Sequence, residues 1–329
     1  MSTWTSDFLG PEYEQRTIDL GTDPDGEGTI SATLVRHVGT VDPTEAKQAV
    51  IYVHGFTDYF FQTELAEFFA NRQIAFYALD LRKCGRSRSA GHTPHYISDL
   101  RLYDAELNEA VKIVGEEAPN AKIAFMAHST GGLVVPLWLD RVNTLPRGVD
   151  AYNLNGLILN SPWFDMQGGT LIREVGTPLV RLLSLAIPKK ALPVGETTAY
   201  GESLHASHSG VWKFDTDLKP VEGFPIRIGW INAVRRGHAA FQRGLNVGVP
   251  SLVMRSARSH GTRTVNKKSM ETDIVLDVRQ IAKWAGCLGN SVTSVPIKEA
   301  MHDIFLSRDD VREHAYAVMG DWIDQNLAS

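Results

Sequence analysis

Phe125-Met126-Ala127-His128-Ser129-Thr130-Gly131-Gly132 follows the apolar run Ile123–Ala127 and opens the helical pattern Leu133–Val142. A serine at such a junction sits on a sharp strand-to-helix turn, which closes only if the residues two positions away on either side are small. Ala127 and Gly131 meet that demand, although the consensus begins with glycine and Ala127 adds one methyl. The helix start also offers unpaired N–H groups and the positive end of the helix dipole to any negative charge forming there. Serine is equally a favoured helix N-cap, so the turn acquires chemical meaning only from what surrounds it.

Outward from this turn, short continuous apolar runs alternate with helix-period stretches. Strands are expected at Thr29–Val38, Ala49–Val53, Ile74–Leu79, Ile123–Ala127, Leu154–Leu159, Ser251–Met254 and Val292–Ile297. Helices are expected around Leu65, Phe68 and Phe69, over Leu100–Val114 and Leu133–Val142, through Ile281–Trp284, and over Val311–Leu327. Such alternation predicts an α/β protein whose mostly parallel sheet is covered by helices on both faces. Its crossovers should be right-handed and its site should lie at the carboxyl ends of the strands.

The alternation breaks between residues 163 and 246. This excursion starts with loop-like Met166–Gly169, runs through the apolar Leu171–Ile187 to Pro188, and continues through Tyr200, His205, His208, Trp212, Phe214 and Trp230. Segments this long inside a compact domain are usually lids or inserted subdomains; the other reading is an extra helical layer that only adds core. The expected organisation is one discontinuous core, 1–162 with 247–329, and a lid or cap, 163–246.

With 43% hydrophobic residues and a formal charge of −5, the chain is globular rather than disordered. Its 33 basic and 38 acidic residues give no electrostatic reason to expect nucleic acid. Two cysteines, Cys84 and Cys287, make no disulfide framework, so a cytoplasmic setting is expected. Met1–Gly10 has neither a basic n-region nor an apolar h-region, so no signal peptide is expected. No stretch reaches the roughly 18 apolar residues of a membrane span. His92-Thr93-Pro94-His95 lacks the helical spacing and the third ligand of a zinc site, and no Gly-x-Gly-x-x-Gly follows a strand. Neither metal nor cofactor is expected, and the oligomeric state stays open.

Val53-His54-Gly55-Phe56 ends the strand at Ala49–Val53. A strand-ending His-Gly brings a backbone N–H, here that of Phe56, beside the turn at Ser129; with the Thr130 N–H it would form a two-donor oxyanion hole. His54 itself is expected to hold its loop by hydrogen bonds rather than to act as the base. His54-Gly55, the stretch Leu79-Asp80-Leu81-Arg82-Lys83-Cys84-Gly85-Arg86-Ser87 and the Ala127–Gly131 elbow together resemble the α/β-hydrolase superfamily. Within it the chain is most similar to the monoacylglycerol lipase and lysophospholipase group, also described as serine-aminopeptidase-like hydrolases. The resemblance covers Gln48 to Asn326 and is weakest in the excursion. Lys83-Cys84 stands where that group has Gly-His, so only the position of that loop carries over.

The resemblance implies the chain order nucleophile, acid, histidine. It makes Ser129 the nucleophile and His302, in the loop after the strand Val292–Ile297, the base. The acid is Asp273 or Asp277; Asp273 matches the group's register of an acid, one residue and two apolar residues. Asp303 reads as a turn residue, His314 as a surface residue, and His92, His95 and His260 as loop residues. The implied activity is ester hydrolysis on a small molecule bearing an acyl group, of monoacylglycerol or lysophospholipid type, with Leu171–Ile187 covering the acyl chain. An amidase or aminopeptidase using the same triad is the alternative, in which Glu196 or Glu202 would meet the substrate amine. A non-catalytic binding protein of the same fold is a further alternative.

Overall fold

In the computed structural model, which describes residues 3–39, 41–166, 180–193 and 198–327, the apolar runs pair into one sheet. Its nine strands are β1 (Thr5–Asp7), β2 (Gly10–Thr22), β3 (Thr29–His37), β4 (Gln48–Val53), β5 (Ile74–Asp80), β6 (Lys122–His128), β7 (Leu154–Asn160), β8 (Ser251–Ser256) and β9 (Val292–Ile297), in the order β1-β2-β3-β5-β4-β6-β7-β8-β9. Pairing is antiparallel from β1 to β5 and parallel from β5 to β9. Every residue of β5 is buried, as a strand covered on both faces requires.

Neighbouring residues along a strand serve opposite cores. Ile51 and Phe125 join Leu107, Leu133, Trp138 and Val234 on one face, beneath α2 (Asp104–Glu117), α3 (Gly131–Asn143) and the helix Ile228–Phe241. Val50 and Met126 join Phe69, Met319 and Trp322 on the other, beneath α1 (Thr63–Asn71) and the closing helix Asp309–Asn326. Among the described residues no helix is long and apolar enough to cross a membrane.

Two differences from the sequence reading have local causes. β1 and β2 were not anticipated: β2 is rich in Glu, Gln, Arg, Thr and Asp and buries Tyr13 and Ile18 of its apolar residues, so it gives neither an apolar run nor clean alternation. The expected helix Leu100–Val114 starts late, because Asp99 caps a separate 3₁₀ turn at Leu100–Tyr103 by accepting from Arg101 N at 3.0 Å.

Between β7 and β8 the chain is helical over 180–186, Ala199–Leu204 and Ile228–Phe241. Trp230, Ile231, Val234 and Phe241 of the last helix enter the main core. Of the run Leu171–Ile187, and of Met166–Gly169, residues 167–179 lie outside the described residues. In the remainder Leu182, Leu185 and Ile187 are exposed. Chain order reverses around β4, which sits between β5 and β6, and the carboxyl ends of β4 and β6 meet side by side with Val53 opposite Ala127.

Candidate active site

Ser129 follows the last residue of β6 with φ +51°, in the left-handed region where a side chain costs energy. Backbone bonds hold it there: its N–H donates to Asn160 O at 3.0 Å, and its carbonyl accepts from Gly132 N and Trp163 N, each at 3.0 Å. The small residues have a direct steric cause. A Cβ on Gly131 would stand 2.5 Å from His54 O and 2.7 Å from Val53 O, and one on Gly132 would stand 2.6 Å from Pro162 Cβ. A Cβ on Gly55 would reach Ser129 Cβ at 3.0 Å, so the His54–Phe56 loop lies against the elbow. Thr130 immediately precedes α3 and its carbonyl accepts from Leu133 N and Val134 N. Its own N–H belongs to the first helical turn, which has no intrahelical acceptor.

Three loops bring three side chains together. Ser129 Oγ lies 3.0 Å from His302 Nε2, and His302 Nδ1 lies 2.9 Å from Asp273 Oδ2. The other oxygen, Asp273 Oδ1, accepts from Val275 N at 2.8 Å and Leu276 N at 2.7 Å. Asp273 is fully buried, so with one oxygen taken by amides the other is an acceptor for His302 Nδ1–H, which leaves the Nε2 lone pair facing the serine hydroxyl. Asp277, four residues on, faces elsewhere: it caps the helix Val278–Trp284 and bonds the Arg279 guanidinium at 3.0 and 2.9 Å. Those Arg279 hydrogen bonds hold the Asp277 carboxyl below its ordinary range.

The other histidines fall into structural settings. His54 Nε2 accepts from Leu81 N at 3.1 Å and Nδ1–H donates to Gly55 O at 2.7 Å, so both nitrogens are spent on the loop. His95 lies in a loop as expected, but not on the surface. It is buried, its ring lies 5.2 Å from that of Phe56 and 5.3 Å from that of Phe224, and burial pushes its pKa well down. His205 bonds Ser207 Oγ and Phe214 O, while His208 and His314 are exposed. Glu202 accepts from Thr198 Oγ1 at 2.7 Å, and Glu196 lies outside the described residues.

Several supporting residues escaped the sequence reading. Asn160, the last residue of β7, donates through Nδ2 to Asp303 Oδ1 at 2.7 Å and accepts Ile304 N at 3.2 Å, which anchors the turn after His302. Gln62 donates to Asp303 Oδ2 at 3.2 Å. Asp58, in the loop after β4, is ion-paired with Lys219 of the excursion at 2.7 Å and faces His128 Nδ1 at 3.4 Å. The one sequence signal for these is a polar residue placed where an apolar strand ends.

Residues 44–309 match the family described as serine aminopeptidase, S33. The chain belongs to that family. No curated protein sequence matches it. Similar solved structures include a soluble variant of monoglyceride lipase from Saccharomyces cerevisiae, 16% identical, covering 100% of this chain and 96% of its own, with a TM-score of 0.63. A thermostable carboxyl esterase from Bacillus coagulans is 15% identical over 95% of this chain and 99% of its own, with a TM-score of 0.63. The monoacylglycerol lipase of Paleococcus ferrophilus is 15% identical over 85% and 96%, with a TM-score of 0.56. These likenesses establish the α/β-hydrolase fold, and the family makes the chain a serine hydrolase. In this S33-family chain Lys83 is fully buried with φ +60°, its ammonium 2.6 Å from Asp23 and 3.0 Å from Glu27. The Lys83-Cys84 departure therefore ties the β2–β3 turn to the loop after β5.

Proposed function

We propose that this serine hydrolase cleaves carboxylic esters through an acyl-enzyme. Ser129 Oγ attacks the ester carbonyl while His302 Nε2 accepts its proton. His302 then hands that proton to the leaving alkoxide, and a water activated by the same nitrogen releases the acid. Asp273 keeps His302 in the required tautomer and stabilises its protonated form. The Phe56 and Thr130 amides take the oxyanion. The observation that carries this reading is the continuous Ser129–His302–Asp273 hydrogen-bond chain, at 3.0 and 2.9 Å.

The substrate is a small molecule with an acyl group, a short- or medium-chain ester or a monoacylglycerol or lysophospholipid. Segment 163–246 is its lid or cap, and the Phe56 ring, 4.1 Å from that of Trp230, packs the oxyanion loop against that segment. Free thiols at Cys84 and Cys287 favour a reducing cytoplasm. No cofactor enters the mechanism.

The test is turnover of p-nitrophenyl esters of graded chain length beside aminoacyl anilides, with Ser129→Ala as control and a fluorophosphonate probe as a site label. Ester turnover, labelling of the wild type and loss of both in Ser129→Ala are expected. Wild-type protein that neither labels nor turns over any ester would end the proposal in favour of a binding protein. The family's description names an aminopeptidase, so anilide turnover above that of every ester would replace ester cleavage by amide cleavage.

A further inference from the structure

The loop that carries the Phe56 amide contains a second strained residue. Thr57 has φ +51°, and a β-branched residue in the left-handed region costs about 1–3 kcal/mol unless its surroundings hold it. The holding contacts come from across the chain. Phe224 N donates to Thr57 Oγ1 at 3.0 Å, and Lys219 Nζ donates to Thr57 O at 3.4 Å and to Asp58 Oδ1 at 2.7 Å. One residue further, Asp215 N donates to Tyr59 OH at 2.8 Å.

Lys219 is buried, and its ammonium lies 5.6 Å from the ring centres of Phe61 and Phe214 and 5.9 Å from that of Tyr200. Burial raises the Asp58 carboxyl, but Lys219 and His128 outweigh it and hold the group below its ordinary range. The far oxygen of Asp58 faces His128, whose ring lies 4.9 Å from that of His302. Asp58, His128 and Asp303 have potential ligand atoms within 4.8 Å of one another. Their charge is met from within the chain, Asp58 by Lys219 and Asp303 by hydrogen bonds from Asn160 and Gln62.

We infer that Lys219 is a positioning residue: by gripping Thr57 and Asp58 it sets the Phe56 amide where the oxyanion forms, an inference that rests on the ester-hydrolase reading. Segment 215–224 is then a strut for the catalytic loop as well as part of a cover. A buried cation suits this task because its ammonium donates to the Thr57 carbonyl and the Asp58 carboxylate at once, so truncating it releases both from segment 215–224; the carboxylate it leaves unpaired costs stability in addition.

Full-chain Lys219→Met, Lys219→Arg and the double variant Asp58→Asn/Lys219→Met separate positioning from stability. The readouts are kcat per fluorophosphonate-titrated site, KM for a p-nitrophenyl ester, affinity for a trifluoromethyl ketone that forms an oxyanion adduct, and Tm. Outright loss of an oxyanion donor costs about 10²–10³ in kcat, so displacing one predicts a fall of about 10- to 100-fold in Lys219→Met with little change in KM. Affinity for the ketone falls in parallel, and Lys219→Arg recovers most of both. The double variant removes the unpaired charge, so Tm recovers while kcat stays low; it carries the test if Lys219→Met does not fold. Wild-type kcat per labelled site in Lys219→Met, or recovery of kcat together with Tm in the double variant, would overturn the inference. A wild type that neither labels nor hydrolyses esters would instead remove the parent reading.

Discussion

Asp273→Asn changes one atom of the side chain and should nearly silence the enzyme. Oδ1 accepts two backbone N–H groups, from Val275 at 2.8 Å and Leu276 at 2.7 Å. An amide NH₂ placed there would face two donors, each left unsatisfied at about 1–3 kcal/mol. The asparagine therefore keeps its oxygen on those amides and turns its nitrogen toward His302 Nδ1, 2.9 Å from the atom it replaces. A donor now faces Nδ1, so the imidazole moves its proton to Nε2, the atom 3.0 Å from Ser129 Oγ. That nitrogen can no longer accept the serine proton. A wrong tautomer of this kind drops kcat by about 10⁴-fold, or about 5 kcal/mol of transition-state stabilisation. The assay is kcat for a p-nitrophenyl ester, with circular dichroism and the urea midpoint checking the fold. Asp277→Ala is the internal control: it removes a helix cap, costs about 1 kcal/mol of stability and leaves kcat unchanged. If Asp273→Asn kept kcat within about tenfold of wild type, or Asp277→Ala lost as much, the tautomer argument would fail.

Further outcomes follow from the same geometry. In Gly131→Ala the new methyl meets backbone oxygens of His54 and Val53 at 2.5 and 2.7 Å, atoms that cannot swing aside. Overpacking of this kind costs about 1–3 kcal/mol; Tm and kcat should fall together as the elbow is pushed off the His54–Phe56 loop, and unchanged values would mean that the close approach does not exist. His238 donates Nε2–H to Trp163 O at 2.8 Å, and burial pushes its pKa down to about 4. The unfolded chain takes up that proton near pH 6.5, so the contribution of neutral His238 is complete above about 6.5 and declines as the pH falls toward 4, by about 2 kcal/mol at pH 5. Urea titrations at pH 7.5 and pH 5 should show this loss in the wild type and much less of it in His238→Gln, which keeps a donor for Trp163 and does not titrate; equal losses would refute it.

Much of the core was legible because apolar runs and turn chemistry are written in consecutive residues. β9 spans Val292–Ile297 as read from the sequence, and β4, β5, β6 and β7 lie within a residue or so of their apolar runs. Ser129 stood out because a tight elbow demands small residues at fixed spacing around it, and the glycine contacts at 131 and 132 show why. β1 and β2 left no such mark, since an edge hairpin buries too few side chains to impose a period.

The two candidate acids show where sequence stops. Asp273 and Asp277 share one polar segment, four positions apart, and local pattern favoured the first without excluding the second. Tertiary structure separates them: the Asp277 carboxylate is spent on its own helix start and Arg279, while Asp273 closes on His302, 29 residues away. The same holds for Lys219, 161 residues from the aspartate it neutralises, and for Asn160, 143 residues from Asp303. Hydrophobic periodicity and backbone turns are short-range and can be read along the chain. Which buried charge meets which is fixed only when the sheet closes and water is excluded, because desolvation then makes each polar group depend on a partner that distance along the chain does not name.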